Sequence, residues 1–115
     1  LWRTALADPA SAAIVAEDDA GVVGVVRWTE QDATVQSLYV DPRDQGHGTG
    51  GRLLAAAVEA LAQAGLPEAG LWVFEANTPA RAFYAHRGWL PDGRTRVEVL
   101  FGAAELRLVH ARGTA

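Results

Sequence analysis

The chain has no cysteine and no methionine, and all ten of its basic residues are arginine. Disulfide scaffolds, metal–thiolate centres and cysteine nucleophiles are therefore excluded. The absence of lysine removes a Walker A loop, whose lysine reaches the terminal phosphates, and any Schiff-base chemistry. No apolar run approaches the roughly 20 residues that cross a bilayer, and the opening LWRTALADPASAA lacks the basic-then-apolar order of a signal peptide. A cytoplasmic protein with no membrane partner is the expectation. Positive charge is short as well: at a formal net charge of -4 the chain offers no basic face for a nucleic acid. A smaller anion is not excluded.

What is present suffices for one core. The 115 residues are 50% hydrophobic and 21% charged, the size and balance of a single globular domain. Residues 12–18 and 22–29 are β-branched runs separated by DDAG, which predicts a hairpin. A third strand, TVQSLYV at 34–40, ends where Asp41-Pro42 denies the ladder a donor. From Arg52 the period becomes helical, with Leu54, Val58 and Leu61 on one face and Gly65 as the stop. AGLWVFEA at 69–76 reads as a buried strand, reached by a parallel crossover through that helix. Thr78 and Pro79 suit the N-cap and first residue of a short second helix ending at Gly88. Residues 94–101 and 105–110 resemble a closing hairpin.

The densest local signal is QGHGTGG, residues 45–51. A helix starts with four amides that lack internal partners, and its dipole places partial positive charge there. Gly46, Gly48, Gly50 and Gly51 can be read as clearing the approach of an anion to those amides. Arg52 in the first turn opposes the dipole unless an anion lies between them. The bland alternative is a tight, ligand-free loop. A literal G-x-G-x-x-G is present at Gly46, Gly48 and Gly51, yet it follows an antiparallel meander rather than the first strand of a parallel set, which disfavours NAD.

LYVDPRDQGHGTGGRLL, followed by LWVFEANTPARAFYAHRGW, closely resembles the GCN5-related N-acetyltransferase (GNAT) family. Gln45, Gly48 and Gly50 meet its Q/R-x-x-G-x-G/A motif. Asn77, Ala80, Phe83, Tyr84, Gly88 and Trp89 meet its second pattern, and the resemblance covers roughly residues 12–110. It implies an α/β (α+β) fold: a mixed, mostly antiparallel sheet with a central parallel pair splayed for coenzyme A, and two flanking helices. It further implies acetyl-CoA as cofactor and transfer of acetyl to a primary amine on a small molecule or peptide. In that scheme Leu38, Tyr39 and Val40 border the pantetheine arm, with the Leu38 amide holding the thioester oxygen. Gln45, Gly46, His47, Gly48, Thr49, Gly50 and Gly51 surround the diphosphate. Tyr84 becomes the general acid for the departing thiolate, and Asn77 either touches the cofactor or caps the second helix. No metal is implied.

Amine attack needs a proton acceptor, since an alkylamine of pKa near 10.4 is almost wholly protonated at neutral pH. Glu75, at the end of the fourth strand, is the candidate base. Gln36 stands where some relatives carry a glutamate, and an amide cannot serve. Measured against the family, the first strand and most of the first two helices are missing, and LWRTALADP reads as the tail of the second. The strand at 12–18 would then be a sheet edge, which a homodimer or domain swap could cover. Two further readings stay open at this stage: a CoA-binding module without turnover, and a Rossmann-like nucleotide-binding domain.

Overall fold

The computed structural model describes residues 2–8 and 11–111, with side chains from 11 to 110. In chain order the elements are β1 (Trp2–Asp8), β2 (Ser11–Asp18), β3 (Gly21–Thr29), β4 (Thr34–Val40), α1 (Thr49–Gln63), β5 (Glu68–Phe74), α2 (Thr78–His86), β6 (Leu90–Glu98) and β7 (Ala103–Ala111). The strands form one sheet ordered β1-β2-β3-β4-β5-β7-β6. Antiparallel pairing holds throughout except between β4 and β5.

Local chemistry accounts for most boundaries. The β2–β3 turn is fixed by Asp18, whose Oδ1 accepts the Ala20 N–H at 2.8 Å, and by Gly21 at φ 123. In α1 a stripe of Leu53, Leu54, Ala57, Val58 and Leu61 is buried against the sheet beside Val26, Trp28 and Leu71. Each fully buried leucine contributes about 1.5–3 kcal/mol, enough to hold the helix and its N-terminus in place. The helix stops at Gly65, where the Leu66 N–H reaches the Leu61 carbonyl at 2.8 Å and the Gly65 N–H reaches that of Ala62 at 3.0 Å. This left-handed C-terminal cap needs the glycine's φ of 88.

The parallel pair carries the architecture of the site. Its ladder consists of Thr34 opposite Gly70, where the Gly70 N–H donates to the Ala33 carbonyl at 2.8 Å. Past that point β4 and β5 diverge. β5 stays paired with β7 from Glu68 to Phe74, and β4 stays paired with β3, so the opening between them is a wedge inside the sheet. β4 also carries a bulge. Arg27 faces Ser37 while Trp28 faces Val35, which leaves Gln36 as one extra residue.

Four expectations are corrected. LWRTALADP is no helix tail: Trp2–Asp8 is a strand paired with β2, so β1 takes the edge and satisfies the β2 ladder. The first helix begins at Thr49 rather than Arg52, drawing Gly50 and Gly51 into its first turn because burial outweighs glycine's poor propensity. Asn77, not Thr78, caps α2, its side chain accepting the Ala80 N–H at 3.2 Å. β6 starts at Leu90, four residues early, because the pairing with β7 absorbs PDGR as an irregularity between Pro91 and Thr95.

Candidate active site

β4 leads into a built loop. Asp41 Oδ1 accepts the Arg43 N–H at 2.9 Å and its carbonyl accepts that of Asp44 at 2.8 Å, closing a 3-10 turn at Pro42–Asp44. Arg43 reaches back to Asp18 at 3.0 Å. Donation from Ala20, reinforced by this arginine, holds the Asp18 carboxyl below the usual carboxylate range. The Thr49 hydroxyl donates to Asp44 Oδ2, and His47 Nδ1 lies 3.1 Å from the Asp44 carbonyl. The loop between turn and helix is thereby closed from inside.

The N-terminus of α1 is left open. Gly48, its N-cap, sits at φ 78, a conformation that side chains resist, and no side chain caps the helix. A Cβ built on Gly46 or Gly48 would meet nothing within 4 Å. Gly50 and Gly51 differ: their missing side chains are replaced by neighbours. The Phe83 ring and Val40 stand 3.5 and 3.3 Å from a Cβ on Gly50, and Arg87 Nε 2.7 Å from one on Gly51. Two of the four glycines therefore bare the amides, while the other two admit α2.

A cleft of about 600 Å³ runs from this terminus along the end of β4, bordered by Gly46, Gly48, Gln45, Phe83, Val40 and Leu38. Backbone direction explains how Leu38 and Val40 face it. The Asp41 N–H donates to Val23 of β3 at 2.7 Å, and amides alternate along a strand, so those of Val40 and Leu38 point to the β5 side. A second, largely apolar cleft of about 540 Å³ lies along α1, bordered by Arg52, Val58, Trp89 and His110. The two share Gly48, Gly51 and Arg87.

The chain thus combines a wedge in a mixed sheet, a helix N-terminus without a side-chain cap and a groove that runs between that terminus and β4. The profile of the Acetyltransferase (GNAT) family matches residues 1–89. The chain belongs to this family. The mycothiol acetyltransferase of Clavibacter sepedonicus is 40% identical over 80 residues, 67% of this chain and 26% of that protein. Among solved structures, a nourseothricin acetyltransferase superposes with a TM-score of 0.77 at 27% identity, over 90% of this chain and 66% of that one. The PaiA N-acetyltransferase of Thermoplasma acidophilum, solved with coenzyme A, shares the fold at a TM-score of 0.69 and 19% identity, over 85% and 60%. The chain thus spans about a quarter of the curated relative's length. The topology replaces the Rossmann-like alternative, since every strand pair except β4–β5 is antiparallel.

Acetyl-CoA is the cofactor of GNAT enzymes, and the residues present fit it: open amides at Gly46 and Gly48, no acidic residue in the first turn of α1, and a groove on either side. The residues expected at the site fall into three groups. Leu38, Val40, Gln45, Gly46, Gly48, Thr49, Gly50 and Gly51 come together around the first cleft. Thr49 and His47 are turned inward on Asp44, so the Thr49 hydroxyl is engaged and His47 folds back along the loop. Tyr39, Glu75, Asn77 and Tyr84 do not line the cleft. Tyr39 is half exposed on the sheet face turned away from α1. Glu75 is exposed, its carbonyl accepting from Arg81 at 3.0 Å. Tyr84 packs edge-on to Phe83 at 5.3 Å and Trp89 at 6.1 Å, and burial raises its hydroxyl above the ordinary tyrosine range.

Arg87 is the residue that motif reading missed. It follows α2, lies over the Phe83 ring at 3.8 Å, donates from Nη1 to the Phe83 carbonyl at 3.0 Å, and rests against Gly51. A guanidinium is thus held at the positive end of α1, a placement that the dipole opposes unless an anion shares the space. The signal in sequence was Gly51 itself, whose missing side chain marks the spot where another element approaches.

Proposed function

We propose that this domain transfers acetyl from acetyl-CoA to a primary amine of a small molecule. The observation that carries the reading is the wedge: Leu38 and Val40 amides point into it, and the cleft that those two residues border also borders Gly46 and Gly48. The first-turn amides with Arg87 would hold the diphosphate, and Val40 and Leu38 would border the pantetheine arm. Bound acetyl-CoA supplies a thioester whose acyl carbon is open to a neutral amine. Toward it the Leu38 N–H would donate to the thioester oxygen, where a well-placed donor lowers a barrier by several kcal/mol. The Tyr84 hydroxyl, protonated at neutral pH, would supply the proton to the departing thiolate. For the amine's own proton, Glu75 through water is the remaining route among the expected residues.

The acceptor's chemistry follows from the chain's acidic balance, which suits a cationic amine. Neighbours of the same fold include enzymes named for spermidine, and the curated relative is named for mycothiol. A second reading, CoA binding without turnover, is favoured by the placement of Tyr84 and Glu75 outside the cleft lining. Calorimetric titration with coenzyme A, followed by thiol release from acetyl-CoA over an amine panel with mass detection of products, separates the two. Saturable binding with amine-dependent thiol release supports transfer. Binding with no acetylated product from any amine leaves the module, and no binding sinks both.

A further inference from the structure

Arg107 presents a puzzle on the sheet face away from the helices. Only 8% exposed, it has a buried Nε with no hydrogen-bond partner. Its neighbours Arg94 and Arg96 are satisfied by Asp92 at 2.6 Å and Glu105 at 2.8 Å. Among the described residues no carboxylate lies within ion-pair distance of Arg107. Its one side-chain hydrogen bond among the described residues is long-range: Nη1 donates to the Thr34 hydroxyl at 3.1 Å. Thr34 belongs to β4 and Arg107 to β7, and β5 lies between them.

The crossing is possible because β5 carries a glycine at that point. A Cβ on Gly70 would stand 2.1 Å from Nη2 and 2.3 Å from Cζ of Arg107, so any side chain there would displace the guanidinium. Gly70 is also the residue opposite Thr34 in the parallel ladder. The arginine therefore passes over the joint from which the wedge opens. Its far end is held on both sides: the Thr34 hydroxyl donates in turn to the Asp32 carbonyl at 3.1 Å, and the Trp72 ring lies 5.5 Å from Cζ. Burying a cation on one neutral acceptor is unfavourable, and an apolar side chain would fill the space at lower cost. What an apolar group lacks is a directed bond of fixed length to β4.

We propose that Arg107 is a positioning residue, a strap from β7 over Gly70 to Thr34 that sets how far β4 stands from β5 and hence where the Leu38 and Val40 amides lie. The inference rests on the reading that the pantetheine arm occupies the wedge. Removing the strap loosens the wedge and leaves the α1 terminus, held by its own leucines, where it was.

The test compares two ligands on the wild type, Arg107→Met and Thr34→Val: coenzyme A, and 3'-phosphoadenosine 5'-diphosphate, which keeps the phosphates and lacks pantetheine. Both variants should bind coenzyme A about tenfold more weakly, the size of one hydrogen bond to a charged group, and the nucleotide within about twofold of wild type. Hydrogen exchange at the Gly70 amide, measured without ligand, should quicken in both. Equal weakening for the two ligands would reduce Arg107 to general packing, and unchanged affinity for coenzyme A would remove the strap altogether. Should Arg107→Met fail to fold, Thr34→Val decides, since it keeps the shape and the guanidinium. If the wild type binds no coenzyme A, the proposed function falls, and unaltered Gly70 exchange in the variants separately overturns the strap.

Discussion

The two helices begin in opposite ways. α2 starts with a conventional closure: the Asn77 side chain accepts the Ala80 N–H at 3.2 Å, and Pro79 stands where a missing N–H does no harm. α1 starts from a left-handed glycine with no cap, its threonine turned back on Asp44 and its first turn free of acidic residues. A cap such as that of α2 is worth about 1 kcal/mol, so an uncapped end in a well-buried helix forgoes stability that a single substitution could supply. The difference is that α2 is closed by its own chain, whereas the proposed function leaves the open end of α1 to a ligand.

Closing α1 should break the contrast most severely. Gly48→Asp places a carboxylate where the amides are bare, and calorimetry should show coenzyme A affinity reduced about a hundredfold, with little change in thermal stability because the new cap offsets backbone strain. Arg87→Gln removes the cation beside the same amides. Affinity should fall about tenfold and lose part of its salt dependence, measured by titration at two ionic strengths. Asn77→Ala tests the other helix: denaturant unfolding should show a loss of about 1 kcal/mol, with the affinity of the protein that stays folded unaltered. A strong fall in coenzyme A binding there would place Asn77 on the cofactor instead.

The smallest effect concerns Tyr84 and the alkaline limb of stability. Its folded pKa is raised by burial, so its contribution is complete below the unfolded value near 10 and declines as pH climbs through the folded one. Tyr84→Phe should flatten that decline in chemical unfolding followed from pH 8 to 11. An unchanged slope would mean that the hydroxyl is hydrated in the fold.

Much of this was legible in the sequence because it is local. The β2–β3 hairpin, β4 ending at Asp41-Pro42, the buried stripe of α1 and the Gly65 stop each depend on residues a few positions apart. The glycine loop was legible as the entry to a helix but not in its division of labour: Gly50 and Gly51 yield to Phe83, Val40 and Arg87, which arrive from elsewhere in the chain. Thr78 looked as good a cap as Asn77, since both side chains accept and only the chain's path into α2 separates them. Trp2–Asp8 was misread because an isolated edge strand shows little beyond its pairing with β2. Arg107 had no sequence signal except Gly70, a glycine inside a strand, which marks a close approach without naming the visitor.

The extra residue at Gln36 determines the parity of β4. Were the same residues paired without the bulge, the odd-numbered amides of Ser37 and Tyr39 would look into the gap, and Leu38 would spend its N–H on β3. One peptide unit thus decides which half of the strand's polar groups looks into the gap and which half serves the sheet, and drawing Gln36 into the ladder would exchange the two while every side chain upstream stayed where it is.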